Sequence, residues 1–357
     1  MSPDMRVAVI AITGKGAKLG QRLCEQMAGL ECYVSSRYAD QIPLPCHRFE
    51  PPELKHMIAR LWKTYDGLVL VMATGIVVRM IAPLLESKET DPAVVVMDDA
   101  GRHAISLLSG HLGGANELAG RCALASGGHP VITTATDSND LPSFDMLAKE
   151  QGWAIDDINR VKILNTLLLD NEEIAVCNPT GRTRSWLQGR GTVTFYETMA
   201  EAVASTAHGI LLVTSTIPPR ISTANTLILR PRTLALGIGC NRGTPADEIA
   251  AFVTLHLARL ALSPKSVCCI ASVAAKRDEA GLIRYAEQLG VPLHCFENDE
   301  LSRVTFPSPP SEHALAAVGV AGVAEPAAIL ASGGGQLLLE KVKSANVTLA
   351  IAERKEG

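Results

Sequence analysis

The side chains suited to proton transfer crowd into one stretch of this 357-residue chain. Asp98-Asp99-Ala-Gly-Arg102-His103 is followed by Ser106-Leu-Leu-Ser109-Gly110-His111-Leu-Gly113-Gly114-Ala-Asn116-Glu117. Neutral imidazole exchanges protons near pH 7, and glycines let a ligand approach the backbone, so His111 and His103 are candidate acid–base groups. A capping or core histidine is the plainer alternative for each. Ser109, two residues before His111, invites a serine-nucleophile reading, but the GxSxG frame is absent and Leu108 precedes it. Downstream, Thr133-Thr134-Ala-Thr136-Asp137-Ser-Asn139-Asp140 offers hydroxyls and carboxylates, or else a hydroxyl-rich turn with a helix cap. Upstream, Ala73-Thr74-Gly75 ends an apolar run with Arg79 one helical turn later. Backbone N–H groups at a helix start plus a guanidinium suit a carboxylate or phosphate; otherwise Arg79 is solvated or paired with Glu86.

Two further groups lie in the last third. Gly237-Ile-Gly239-Cys240-Asn241-Arg242-Gly243-Thr244-Pro245 reads as strand, turn and helix start, with Thr244 as cap and Pro245 at the first helical position. Capping does not explain the Gly-x-Gly-Cys-x-Arg part. Ser272 to Glu279 is a similar strand end carrying Lys276 and Arg277. The loop Thr13 to Gly20 fits neither GxGxxG nor the GxxxxGK[ST] nucleotide loop, which disfavours a nucleotide-dependent transferase. Metal-ligand spacing is missing too: there is no HExxH, and the histidines are dispersed.

The elements that must hold these groups alternate. Arg6–Thr13, Glu31–Ser35, Gly67–Thr74, Pro92–Met97 and Val131–Ala135 read as strands, with helical stretches from Gly14 to Met27, Ile76 to Leu85 and Ala115 to Ala125. Strands alternating with helices predict a parallel α/β domain over residues 1–140, its ligands beyond the strand ends. One cleft shared by the groups near 74, 98–111 and 134–139 is the expectation. Residues 141–230 form a smaller middle α/β region with strands at Glu173–Cys177 and Gly209–Ser215 and a helix at Val161–Leu169. A separate C-terminal α/β domain spans 231–357, with strands at Leu234–Ile238, Val267–Val273 and Pro292–Phe296 and a closing pair at Leu337–Val342 and Val347–Ala352. Its helices are expected at Ala246–Leu262, Ala280–Leu289 and Ala324–Ala331.

Composition excludes several classes. Lys plus Arg number 33 against 37 Asp plus Glu, and aromatic residues are 4% of the chain, which disfavours a nucleic-acid surface. With 47% apolar and 20% charged residues the chain is no disordered polymer. No signal peptide or run long enough to cross a membrane appears, so a cytoplasmic protein is expected. Nine scattered cysteines without a CxxC pair argue against a disulfide framework and a zinc ribbon, and read as mostly buried thiols. No fixed-period repeat is visible. Net acidity concentrates between 74 and 140, where eight carboxylates face four basic side chains.

At these residues the sequence resembles the CbiG family, the cobalt-precorrin 5A hydrolases of the oxygen-independent route to cobalamin. The similarity runs through 73–120, PVITTATDSND (130–140), LGIGCNRGT (236–244), ASVAAKRDEAGL (271–282) and VGVAGVAEPAAI (318–329). One departure is Ser311–Val318, where related sequences often carry a basic residue before VGV. The resemblance implies opening of the ring A δ-lactone of a polycarboxylate corrinoid intermediate, with release of acetaldehyde. It implies no cofactor, cobalt being carried by the substrate, while the composition speaks against a nucleic-acid or membrane partner. Transient contact with other enzymes of the route and a homo-oligomer are compatible with it. On this reading His111 is the general base, His103 the second choice, and Asp98 or Asp137 the orienting carboxylate. Thr74, Gly75 and Arg79 would hold the oxyanion or a substrate carboxylate. Ser109, Gly110, Gly113, Gly114, Asn116, Thr134, Thr136 and Asn139 would line the site, while Gly239, Cys240, Arg242, Lys276 and Arg277 would contact the substrate periphery. A non-catalytic carrier of the same intermediate is the alternative.

Overall fold

Apolar, β-branched runs with no polar alternation need cover on both faces, and the first sheet is built of them. The computed structural model describes residues 5–43, 45–87, 90–111, 113–134, 141–178, 181–218 and 225–354. These fall into two compact units, Met1–Met146 and Leu147–Gly357.

In the first unit, β1 (Val7–Ala11), α1 (Gly14–Gln26), β2 (Leu30–Ser35), β3 (His47–Phe49), α2 (Leu54–Trp62), β4 (Gly67–Val71), α3 (Thr74–Ile81), β5 (Ala93–Met97), β6 (His103–Leu108), α4 (Ala115–Ser126) and β7 (His129–Val131) follow one another. α5 (Phe144–Gln151) begins at its end. The sheet order is β3-β2-β1-β4-β5-β6-β7. β1, β4 and β5 are buried at every position, and clusters on both faces cover them. β1 to β5 are mutually parallel, as expected of an α/β unit.

The sequence reading missed β6, and β6 matters most for the site. It runs antiparallel to β5, pairing Met97 with Ala104 and Val94 with Leu108. The five residues 98–102 are too few for a parallel crossover, so the chain must return beside itself. β7 then pairs parallel to β6. Residues 72–75 and 98–103 consequently lie at the carboxyl edge of β1, β4 and β5, whereas 109–116 and 132–134 lie at the opposite edge. His103 and Leu108 are separated by about 17 Å of strand. The single cleft expected from the sequence is therefore divided between two edges.

The second unit carries two sheets. The first has order β10-β9-β11-β12-β8 and comprises β8 (Ala154–Ile155), β9 (Ile174–Cys177), β10 (Val193–Tyr196), β11 (Gly209–Val213) and β12 (Thr226–Arg230). Between its strands come α6 (Ile158–Leu169), α7 (Arg182–Leu187) and α8 (Met199–Ala204). The other has order β15-β14-β13-β17-β16. It comprises β13 (Leu234–Cys240), β14 (Val267–Val273), β15 (Leu293–Phe296), β16 (Gln336–Lys343) and β17 (Val347–Glu353), with α9 (Ala246–Arg259), α10 (Ala280–Leu289), α11 (Asn298–Ser302), α12 (Glu312–Val318) and α13 (Ala324–Ala331). β13 to β15 are parallel, and β17 and β16 complete the sheet as an antiparallel pair.

Part of the glycine pattern in this sheet is packing. A Cβ on Gly237 would lie 1.8 Å from the Ala324 carbonyl oxygen, so only glycine lets the start of α13 cross β13 there. α9 begins at Ala246, as expected, but Pro245 takes the cap position that the sequence assigns to Thr244. The Thr244 hydroxyl donates to the Asn241 carbonyl at 2.8 Å and makes no cap bond to the helix. The nine cysteines are free thiols; four are buried and five half-buried, fewer buried than composition suggested.

Candidate active site

The loop from Ser109 to Asn116 is built around one amide. The Asn116 side-chain oxygen accepts from the Ser106 hydroxyl at 2.6 Å, its NH2 group donates to Thr134 at 3.1 Å, and its backbone N–H donates to the Gly110 carbonyl at 3.0 Å. Ser109 sits at φ 57°, a left-handed conformation that costs a residue with a Cβ, and its hydroxyl donates to the Asp91 carbonyl at 3.0 Å. That hydroxyl is engaged with backbone, which removes the support for Ser109 as a nucleophile. A Cβ on Gly113 would fall 2.4 Å from the Ser109 Cβ, so the loop can close this tightly only with glycine there.

The loop presents His111 to the start of α5. His111 Nδ1 lies 3.5 Å from Asp145 Oδ2 and 3.3 Å from the Ser143 hydroxyl, which itself donates to Asp145 Oδ1. The His111 and Asp145 side chains are 18% and 10% exposed, so the pair is largely withdrawn from water. Burial pushes the Asp145 carboxyl up, but the hydrogen bonds from His111 and Ser143 outweigh it and hold the group below its usual range. A carboxylate on Nδ1 favours the tautomer whose basic lone pair is on Nε2.

Asp98 does not reach this histidine. It accepts from the backbone N–H groups of Ala100, Arg102 and His103 and stands 3.5 Å from His103 Nδ1, at the other edge. Thr74 and Gly75 open α3 at that same edge, and Arg79 turns back to donate to the Gly75 carbonyl at 2.7 Å while remaining exposed to solvent; among the described residues it makes no ion pair with Glu86. The sequence-picked residues therefore separate into Ser109, Gly110, His111, Gly113, Gly114, Asn116 and Thr134 on one side, and Thr74, Gly75, Arg79, Asp98 and His103 on the other. Thr136, Asp137 and Asn139 lie outside the described residues. Asp145 and Ser143 escaped the sequence reading because they are about thirty residues beyond His111 and look there like an ordinary helix start.

In the second unit a cleft of about 610 Å³ opens at the carboxyl ends of β13 and β14. Gly239, Cys240, Arg242 and Lys276 line it; Arg277 does not, and pairs instead with Glu297 at 3.1 Å. Lys276 is paired with Glu279 at 3.0 Å, and the same carboxylate accepts the Gly243 backbone N–H at 2.8 Å, joining two cleft turns. Burial opposes ionisation of Glu279, but these two donors keep it below the usual glutamate range. Burial also raises the Cys240 thiol, which therefore faces the cleft uncharged. Lys341, Lys343 and His313 line the same cleft and were not singled out in the sequence. Among the described residues, no aromatic ring other than the His313 imidazole lines it. Among the described residues no cluster of three or more His, Cys, Asp or Glu could hold a metal ion, and no helix is long and apolar enough to cross a membrane.

Comparison with known proteins finds similarity along most of the chain. Family models of cobalamin synthesis G match its N-terminal part at residues 56–137, its central region at 142–231 and its C-terminus at 234–352. A cobalt-precorrin-5A hydrolase of Priestia megaterium is 36% identical over 353 residues, covering 97% of this chain and 94% of the relative. The chain belongs to the CbiG family. Another member, the cobalt-precorrin-5A hydrolase of Salmonella typhimurium, is 33% identical, with 97% of each chain covered. A third of the chain is also 35% identical to the protein CobE of a Sinorhizobium species, covering 79% of that protein. CbiG membership accounts for the similarity of the motif-dense stretch, and it leaves the roles of individual residues to geometry.

Proposed function

We propose that this protein is a cobalt-precorrin 5A hydrolase: it adds water to the ring A δ-lactone and releases acetaldehyde, leaving cobalt-precorrin 5B. Full-length similarity to two cobalt-precorrin-5A hydrolases supports the substrate. The observation that carries the chemistry is the sequestered His111–Asp145 pair at the mouth of a glycine-built loop.

In this reading His111 takes a proton from the attacking water through Nε2 while Asp145, steadied by Ser143, stabilises the imidazolium that forms. Collapse of the tetrahedral intermediate breaks the ester C–O bond and frees the ring A acetate. The alcohol left on the former bridging carbon then loses its proton. Its C–C bond to the macrocycle breaks, that electron pair passes into the conjugated ring, and the carbon departs with its methyl group as acetaldehyde. Cobalt enters as part of the substrate.

The C-terminal cleft, taken by itself, is a surface of the second unit suited to holding a corrinoid. Its volume is in the range of ordinary ligand sites, and Gly239, Ala314, Ala317, Gly322, Val323 and Ala324 give it the smooth aliphatic lining that a corrin face can lie against. Incubating purified protein with cobalt-precorrin 5A and measuring acetaldehyde against a no-protein blank tests the reading. Release above the blank is expected. Binding without release would instead make the protein a carrier of the intermediate.

A further inference from the structure

The cations that the glycine-rich motifs brought forward are occupied. Lys276 is 12% exposed and paired with Glu279, which is 3% exposed, so turning Lys276 toward a ligand would strand a buried carboxylate. Arg242 is paired with Asp278 at 3.3 Å, and although this exposed pair is worth little, it must still open before Arg242 can take another anion. Lys341 and Lys343, on β16, differ from both: among the described residues neither has an ion-pair partner, and both line the cleft.

Their setting is firm. The Lys341 backbone N–H donates at 3.1 Å to Glu325, a buried carboxylate on α13 that also accepts from Ser308 at 2.8 Å. Lys343 pairs in the β-ladder with Thr348 just before the hairpin turn, and Ser344, Asn346 and Thr348 continue the same wall. Two residues along a strand advance about 6–7 Å, a spacing that suits two separate carboxylate arms on one ring better than one bidentate carboxylate.

We infer that Lys341 and Lys343 are the principal carboxylate-recognising residues of the cleft, each taking one acidic arm of a polycarboxylate macrocycle, while Lys276 stays held by Glu279 as a closed pair. The inference rests on the proposed substrate class but not on the lactone chemistry.

The test uses the full chain and two probes, cobyrinic acid with free carboxylate arms and cobinamide with its arms amidated. Binding is followed by tryptophan quenching and calorimetry at 50 and 300 mM NaCl. Lys341→Gln and Lys343→Gln should each weaken cobyrinic acid binding about tenfold and the double variant about a hundredfold, with a flatter salt dependence. Lys341→Arg and Lys343→Arg should restore most of the affinity. Arg259→Gln, the same charge change on α9, should bind like wild type, and cobinamide should not distinguish the variants. Unchanged cobyrinic acid binding in the double variant would overturn the inference, as would an equal loss in Arg259→Gln or no recovery with arginine. Melting curves identify a variant that has lost its fold, and the arginine variants then decide. If wild type releases no acetaldehyde from cobalt-precorrin 5A while the glutamine variants lose cobyrinic acid, the reaction assignment fails and this inference stands.

Discussion

Two histidine–aspartate pairs belong to the first unit, with the same 3.5 Å between Nδ1 and a carboxylate oxygen, and they are not equivalent. His103 and Asp98 are 56% and 38% exposed, whereas His111 and Asp145 are 18% and 10%. Burial raises both carboxyls, and both still end below the ordinary aspartate range, for different reasons. Asp98 is held mainly by the three backbone N–H groups of its own turn, with the His103 charge a lesser contribution; Asp145 is held first by His111 and then by Ser143. One carboxylate serves a turn and the other serves an imidazole. Equal distance is thus a poor guide to role; burial and the identity of the donors separate a chain reversal from a candidate base.

The comparison breaks if the wrong histidine matters. His111→Ala should lower acetaldehyde turnover about 10³-fold with little change in corrinoid affinity, as read by single-turnover kinetics and binding. Asp145→Asn, which keeps the shape but alters which nitrogen carries the proton, should cost about 10²-fold and shift the acid limb of the pH–rate profile. His103→Ala should stay within about threefold of wild type; a loss comparable to that of His111→Ala would move the chemistry to the other edge of the sheet.

Acid sensitivity sharpens the same contrast. Because the folded-state value of Asp145 is depressed, its contribution to stability is complete above about pH 4 and is lost as pH falls through the lowered value. Urea melts of wild type and Asp145→Asn should therefore differ at pH 6, and the gap should shrink as pH falls below about 4. A gap that persists undiminished in acid would show that pairing with His111 is not its source.

Most elements were legible in sequence because apolar β-branched runs such as Gly67–Val71 and Ala93–Met97 can only be doubly covered strands. α2 was also legible and went unread: Leu54, Met57, Ile58, Leu61 and Trp62 keep helical spacing and are all buried. β6 was harder, since Ala104 alone of its residues is buried and its polar start resembles a loop. Missing that strand merged two edges into one imagined cleft. Asp145 was invisible for another reason, its partnership with His111 being purely spatial. The glycines of 237–239 were rightly seen as exceeding what a helix cap needs. Gly237 answers to helix packing, however, and it is Gly239, at the rim, that meets the cleft.

Gly237 also sets what can be altered. Because main chain meets main chain at Gly237 and small side chains such as Ala324, Ala328, Ala350 and Ala352 fill the neighbouring helix–sheet seam, the wall that carries Val323 and Ala324 offers little to trim and no room to enlarge. The β16–β17 hairpin, by contrast, lines the cleft with Lys341, Lys343, Ser344, Asn346 and Thr348. Retuning this cleft for another acidic ring is therefore a problem in the chemistry of residues 341–348, worked against a backdrop that stays fixed.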